Sequence, residues 1–193
     1  MTDFNKLTEL ASECGFSYSA PLDVSRLEFL QEVRDMCNGK MCDRYGKSWS
    51  CPPACPSLEE MRERVKSYSD GLLVQTVGDI EDSYDWEGIM ETGARHKQNF
   101  ARLWDEIAAY KQNKPGENGE IETKERPSVY AMGAGACNLC ESCTYPDAPC
   151  LHPERMSASM EACGLFVSKV CTDNGLKYNY GPDKIAFTSC FLY

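Results

Sequence analysis

The chain has 193 residues, of which 42% are hydrophobic, and this is enough for one domain with a single core. Thirty acidic and twenty basic side chains give a formal net charge of -10, which argues against a nucleic-acid backbone as the main partner. The same charge suits docking on a basic redox partner protein, or it only keeps the protein soluble. The chain opens with polar and acidic residues and has no apolar run of signal-peptide or membrane-span length, so we expect a cytoplasmic protein with no membrane partner.

The twelve cysteines carry the strongest chemical signal in the sequence. Thiols in the cytoplasm are held reduced, so these residues are not expected to form disulfides. They are expected to be metal ligands together with a few buried thiols.

Two helices are predicted in the first forty residues. Residues 3 to about 14 form an amphipathic pattern whose apolar positions recur at helical spacing, and Cys14 on that face is expected to be a buried thiol. A capping-box pattern from Ser25 to Glu28 predicts a second helix, which delivers Cys37 at its end.

A loop rich in glycine and proline follows, and it contains the N-terminal thiol set: Cys37, Cys42, Cys51 and Cys55. Four thiols within nineteen residues can close one metal site. The spacings do not decide between an iron-sulfur cluster and zinc. The Cys-Pro steps at Cys51 and Cys55 favour the cluster slightly, because proline fixes the backbone after a ligand.

The sequence of the middle of the chain predicts two helices and a buried strand. A capping box from Ser57 to Glu60 opens a helix beside the thiols, residues 71 to 77 read as a buried strand, and residues 91 to 112 as a long core helix. His96 on that helix is expected to be satisfied at the edge of the core. Residues 115 to 127 are interpreted as a solvent loop.

A short predicted strand at 128 to 134 leads into the C-terminal thiol set: Cys137, Cys140, Cys143 and Cys150. The first three thiols follow one another at i, i+3 spacing, which lets a short loop wrap one face of a cuboidal iron-sulfur cluster. A zinc site usually takes two cysteines from each of two separate knuckles, so the third thiol favours iron-sulfur over zinc. Two weaker ligand candidates follow, namely His152 and Cys163.

The remaining residues predict short helices at 157 to 163 and 166 to 174 and a terminal strand at 185 to 192, with Cys171 and Cys190 as core thiols. We therefore expect a single α+β domain over residues 1–193. It would have one small sheet of three or more strands, about five helices around it, and two cysteine-rich loops. Parallel or mixed pairing is left open.

The motifs in this order resemble the DUF2284 family of predicted metal-binding proteins. They are Gly46-Lys-Ser-Trp-Ser-Cys51-Pro-Pro with Cys55-Pro-Ser, Gly135-Ala-Cys137-Asn-Leu-Cys140-Glu-Ser-Cys143, Pro149-Cys150-Leu-His152-Pro153 and Ser159-Met-Glu-Ala-Cys163-Gly. The resemblance implies that the metal-binding candidates are the eight cysteines of the two thiol sets, with His152 and Cys163 in flanking motifs. It implies no role for Cys14, Cys171 or Cys190, and no particular reaction.

Three functional hypotheses follow. The first is a ferredoxin-like electron carrier or redox subunit with two [4Fe-4S] clusters, each held by four cysteines. The second is an iron-sulfur enzyme in which one iron lacks a protein thiolate and binds a small substrate, with Lys40, Arg44 and Lys47 available to hold an anion. The third is a zinc-stabilised scaffold.

Overall fold

A computed structural model of the chain describes residues 2–113 and 129–193, so the predicted solvent loop at 115 to 127 lies outside the described residues. Within them, no helix is long and apolar enough to cross a membrane. The α-helices of the described part are α1 (Thr2–Glu13), α2 (Gln31–Asp35), α3 (Leu58–Val65), α4 (Trp86–Asn113) and α5 (Val167–Asp173). The strands there are β1 (Tyr18–Leu22), β2 (Gly71–Asp79), β3 (Tyr130–Met132) and β4 (Lys184–Leu192).

The four strands form one antiparallel sheet in the order β1-β2-β4-β3. The three strands predicted from the sequence are therefore neighbours in a single sheet, and the α+β fold class is confirmed. Strand β1 was not predicted. It is a short edge strand that contains Pro21, and a proline within a strand pattern weakens the sequence signal while being tolerated at an edge.

The sheet separates two apolar layers because successive side chains of a strand point to opposite faces. On one face, Leu72 and Val74 of β2 and Phe191 of β4 pack with α1 and α4. On the other face, Leu73 of β2 and Cys190 of β4 join a second cluster that includes residues of α3 and α5. This second layer also contains Cys55 and packs against Cys37, so the N-terminal thiol set is anchored on one side of the sheet.

Two helix predictions were wrong in detail. The capping box at Ser25 does not form: Asp23 caps a single 3-10 turn there, and α2 begins only at Gln31. Residues 157 to 163 form turns, because their backbone pairs with the end of β3 through the bonds from Gly133 N to Ala158 O and from Met160 N to Gly133 O. Pairing with a distant strand has overridden the local helical pattern.

His96 is the buried histidine of α4, as predicted, and it is 1% exposed. Its Nδ1 lies 3.0 Å from Thr76 Oγ1 and its Nε2 lies 2.7 Å from Ser189 Oγ, so both ring nitrogens have hydroxyl partners. Burial, aided by the charge of Lys97, lowers the pKa of His96 to about 4.

This pKa predicts an acid-dependent loss of stability. The unfolded chain binds a proton at His96 below its ordinary pKa of about 6.5, whereas the folded chain does so only near 4, so stability should fall as the pH drops through this window. The loss attributable to His96 approaches about 3 kcal/mol at pH 4. Anaerobic urea unfolding of wild type and of His96→Gln at several pH values measures it. If the free energy of unfolding depends on pH equally in the two proteins, His96 does not cause the loss of stability.

Candidate metal centre

The N-terminal thiol set lies in the irregular segment between α2 and α3. Cys51 and Cys55 are buried, whereas Cys37 and Cys42 are partly exposed. Cys37 interacts electrostatically with Cys42, Cys51 and Cys55, so the fold brings the four thiols into one neighbourhood. The predicted capping box of α3 is confirmed and ends this segment: Ser57 Oγ accepts a bond from Glu60 N, and Ser57 N donates to Glu60 Oε2.

The C-terminal thiol set lies on the loop that follows β3. All four of its thiols are partly exposed, and Cys140 interacts electrostatically with Cys137, Cys143 and Cys150. The loop is closed locally by a hydrogen bond from Thr144 Oγ1 to Pro149 O, 2.8 Å long. As predicted, this thiol loop follows a strand of the sheet, here the edge strand β3, which pairs with β4.

Cys143 differs from the other thiols in its surroundings. Burial acts to raise its pKa, but hydrogen bonds from the backbone N–H groups of Tyr145, Trp49 and Thr144 and from the Ser48 hydroxyl outweigh that effect and lower it. N–H groups directed at a cysteine sulfur stabilise the thiolate, which is the form that binds metal. The thiolate form that a metal would require is therefore favoured at this sulfur.

The pKa values of three thiols in the N-terminal set move the other way. Burial raises the pKa of Cys37 to about 11, and the charges of Cys42, Cys51 and Cys55 add to this effect. Burial also raises the pKa values of Cys51 and Cys55, and Arg34 opposes it at Cys55. Without a metal these thiols stay protonated at neutral pH, so metal binding must release their protons.

The segment Ser48 to Ser50 joins the two thiol loops. Trp49 Nε1 donates to Ala148 O at 3.1 Å, and the Trp49 ring meets the Tyr145 ring edge to face at 5.0 Å between centroids. Cys137 N donates to Ser50 Oγ at 3.0 Å. Cys51 and Cys137, one from each set, also interact electrostatically. The two thiol sets are thus adjacent parts of one candidate site.

Arg34 of α2 fixes the last thiol of the N-terminal set. Its Nη2 lies 3.2 Å from both Cys55 O and Cys55 Sγ, and its Nη1 donates to Pro56 O. A guanidinium at this position stabilises negative charge on the sulfur. Sequence reasoning did not identify Arg34, because an arginine on a short helix has no signal of its own until the loop folds against it.

The weaker ligand candidates have different surroundings. Cys163 is 1% exposed and belongs to the core cluster with Cys55. Burial, followed by the charge of Cys55, raises its pKa to about 12. His152 is exposed and lines the same cavity as the C-terminal set. Three further thiols, Cys14, Cys171 and Cys190, are buried in the two core layers as predicted.

A cavity of about 480 Å³ opens beside the C-terminal set. All four thiols of that set line it, together with the cationic side chains of Arg44 and Lys47. A second open cavity, of about 530 Å³, contains Cys55 from one set and Cys150 from the other. In the part of the chain that the structure describes, no three cysteine, histidine or acidic side chains converge tightly enough to hold a single metal ion.

Fold and site together define a small cysteine-rich α+β protein with two adjacent sets of four free thiols. The family model for DUF2284, described as a predicted metal-binding protein, matches residues 20–193. The chain therefore belongs to the DUF2284 family. No curated protein and no solved structure matches it.

Proposed function

We propose that this protein binds two [4Fe-4S] clusters, one on each thiol set, and transfers electrons as a ferredoxin-like carrier or redox subunit. The observation that carries the proposal is the grouping of the thiols: Cys37 has the other three members of its set as electrostatic neighbours, and Cys140 has the other three of its own. Four thiols per group are what a [4Fe-4S] cluster requires.

The surroundings of the thiols suit clusters better than single ions. Sulfurs that bind different irons of a cluster stay further apart than four sulfurs on one zinc ion, and among the described residues no three thiols converge tightly enough for a single ion. Hydrogen bonds from three backbone N–H groups and one hydroxyl to Cys143 Sγ are the kind of contact that tunes a bound cluster.

In this proposal the two thiol sets and Arg34 have different roles. Such clusters, when bound, supply one-electron chemistry. Burial of Cys51 and Cys55 keeps water away from these two sulfurs, and the Arg34 guanidinium offsets negative charge at Cys55. The more exposed C-terminal set faces the surface, where a redox partner protein can approach. Adjacency of the two sets, through Cys51 and Cys137, provides a short route between them.

Anaerobic reduction tests this proposal directly. Stepwise addition of dithionite to the purified protein should produce two one-electron signals in electron paramagnetic resonance (EPR) spectra, broadened by magnetic interaction between neighbouring clusters. Absence of visible absorbance and of any EPR signal in a zinc-containing protein would contradict it and favour the zinc-stabilised scaffold.

An iron-sulfur enzyme is a second candidate, favoured by the cavity of about 480 Å³ beside the C-terminal set. An anionic substrate bound there would meet Arg44 and Lys47, and an iron without a thiolate would bind one of its atoms. If the protein is an enzyme of this kind, Cys150→Ala should leave the iron content unchanged. If it is an electron carrier, the same substitution should lower the iron content.

The addition of small anions and thiols further distinguishes the electron carrier from the enzyme. In the enzyme, their addition should change the visible spectrum of wild type, and Arg44→Ala should weaken the effect. Lys40→Ala is the matched control, because Lys40 is exposed but is not part of the cavity wall. A spectrum that does not respond to any of these ligands supports the carrier.

A further inference from the structure

A small cavity lies between α4 and the segment that joins β3 to the C-terminal thiol set. Phe100 and Trp104 of α4 form part of its wall, and residues 133–136 form another part. Its volume is about 40 Å³. Because about 10–15 Å³ is enough for one water molecule, the cavity has room for a molecule of only a few heavy atoms. It is distinct from the cavity of about 480 Å³, although Cys137 belongs to the walls of both.

The apolar part of the wall is held in place by aromatic packing. The Phe100 and Trp104 rings meet edge to face, with 5.7 Å between their centroids. The backbone at Gly133 runs so close to Phe100 that a Cβ there would lie 3.8 Å from Phe100 Cζ. Leu139 adds a further apolar side chain to the wall. A molecule in this cavity therefore meets apolar surface.

Arg155 contributes a cation whose position is fixed. Its guanidinium carbon lies 4.5 Å from the centroid of the Trp104 ring, and its Nη2 lies 2.9 Å from Asp105 Oδ1 and 3.4 Å from Ala101 O. Asp105 is not part of the cavity wall, and its side chain is 72% exposed, so solvent screens this ion pair. The Arg155 guanidinium is therefore held at the cavity with much of its charge available.

Lys97 is the second charged residue of the wall, and it is also a cation. The chain as a whole has 30 acidic and 20 basic side chains, yet no acidic residue of the described chain lines this cavity. Lys97 is half-buried and forms no ion pair within residues 2–113 and 129–193. The cavity thus presents positive charge in a protein that is negatively charged overall.

Backbone N–H groups add to this positive character. Residues 134–136 line the cavity directly before Cys137, and Gly135 has a φ of +74°. Successive N–H groups around a left-handed residue commonly bind anions. Among the residues that the structure describes, the N–H groups of residues 134–136 have no hydrogen-bond acceptor. Gly133 differs, since its N–H donates to Ala158 O.

We propose that this cavity is a binding site for a small carboxylate, whose charged group is bound by Lys97 and Arg155 and whose short apolar tail packs against Phe100 and Trp104. The small volume excludes larger acids. The aromatic rings favour a molecule with an apolar part over a strongly hydrated anion such as inorganic phosphate. The site does not depend on the metal that the thiols bind, but its occupant lies beside Cys137 of the C-terminal set.

Titration of trifluoroacetate with the purified protein, followed by fluorine NMR, tests this proposal, because the probe is a carboxylate with a short apolar tail. The wild type should broaden and shift the signal in a saturable way. Lys97→Met removes the charge but keeps the apolar stem, and it should weaken binding about tenfold. Ala101→Leu fills the cavity while keeping both cations, and it should abolish binding.

Arg102→Met is the matched control, because Arg102 is an exposed cation of the same helix that does not line the cavity. It should bind the probe as the wild type does. Equal weakening in Arg102→Met and Lys97→Met would reduce the effect to general attraction and overturn the site. Weakening in Lys47→Met but not in Lys97→Met would place the anion in the larger cavity, with the same consequence.

Competition defines the class of ligand. Acetate should displace trifluoroacetate, and inorganic phosphate at the same concentration should not. Equal displacement by the two would overturn the choice of a carboxylate. If Ala101→Leu does not fold, as urea unfolding would show, Lys97→Met and its control carry the test. Iron content does not enter these measurements, so their failure would leave the two-cluster proposal intact.

Discussion

Replacing Cys140 by alanine is expected to remove about half of the bound iron and sulfide, leaving about four of each per chain, because Cys140 belongs to only one of two four-thiol groups. Cys42→Ala should have the same effect through the other set. The EPR signal that disappears should differ between the two variants. Chemical analysis of each anaerobically purified variant measures its iron and sulfide content per chain.

Cys171→Ala is the matched control for this experiment. Cys171 is a buried thiol in contact with Gln75 Nε2 at 3.4 Å, and that nitrogen keeps Lys177 O and Thr188 Oγ1 as partners when the sulfur is removed. The variant should therefore retain full iron. Full iron in Cys140→Ala, or an equal loss in Cys171→Ala, would contradict the assignment of the thiols to two sets.

Gly164→Ala is expected to be the most destabilising single change in the turns around the site. Gly164 has a φ of +85°, and a Cβ there would lie 2.7 Å from Leu58 Cδ2 and 2.9 Å from Leu30 O. Left-handed strain of about 1–2 kcal/mol adds to overpacking of about 1–3 kcal/mol, so the free energy of unfolding should fall by about 2–5 kcal/mol.

Gly175→Ala separates strain from crowding. Gly175 also has a positive φ, of +77°, but a Cβ there meets nothing within 4 Å. Its variant should lose only the strain contribution of about 1–2 kcal/mol. Anaerobic chemical denaturation of the two variants gives both values, and an equal loss of stability would show that the contacts of Gly164 with Leu30 and Leu58 do not matter.

Much of the fold was predictable because its signals are local. The capping box at Ser57 and Glu60 forms as its sequence indicates. Strands β2 and β4 have long apolar runs, and α5 is followed by Gly175 at the expected positive φ. Helix α4 begins at Trp86, earlier than the predicted residue 91, because its first turn contains Gly88 and the exposed Trp86 and Glu87, which do not fit an apolar helical pattern.

The positions of the eight cysteines along the chain suggest two sets of four, but the contacts that join the two sets could not be predicted. Adjacency depends on Trp49 reaching Ala148 and Tyr145, and on Ser50 accepting from Cys137 N. These are contacts between residues 87 to 99 positions apart in the chain, and no local pattern encodes them. For the same reason, Cys163 could not be placed beside Cys55 until the core had formed.

Metal and sulfide analysis of the wild-type protein tests the central claim most directly. Protein purified without oxygen should contain about eight irons and eight acid-labile sulfides per chain, because each four-thiol set holds one [4Fe-4S] cluster. Zinc without sulfide in the purified protein would contradict the account.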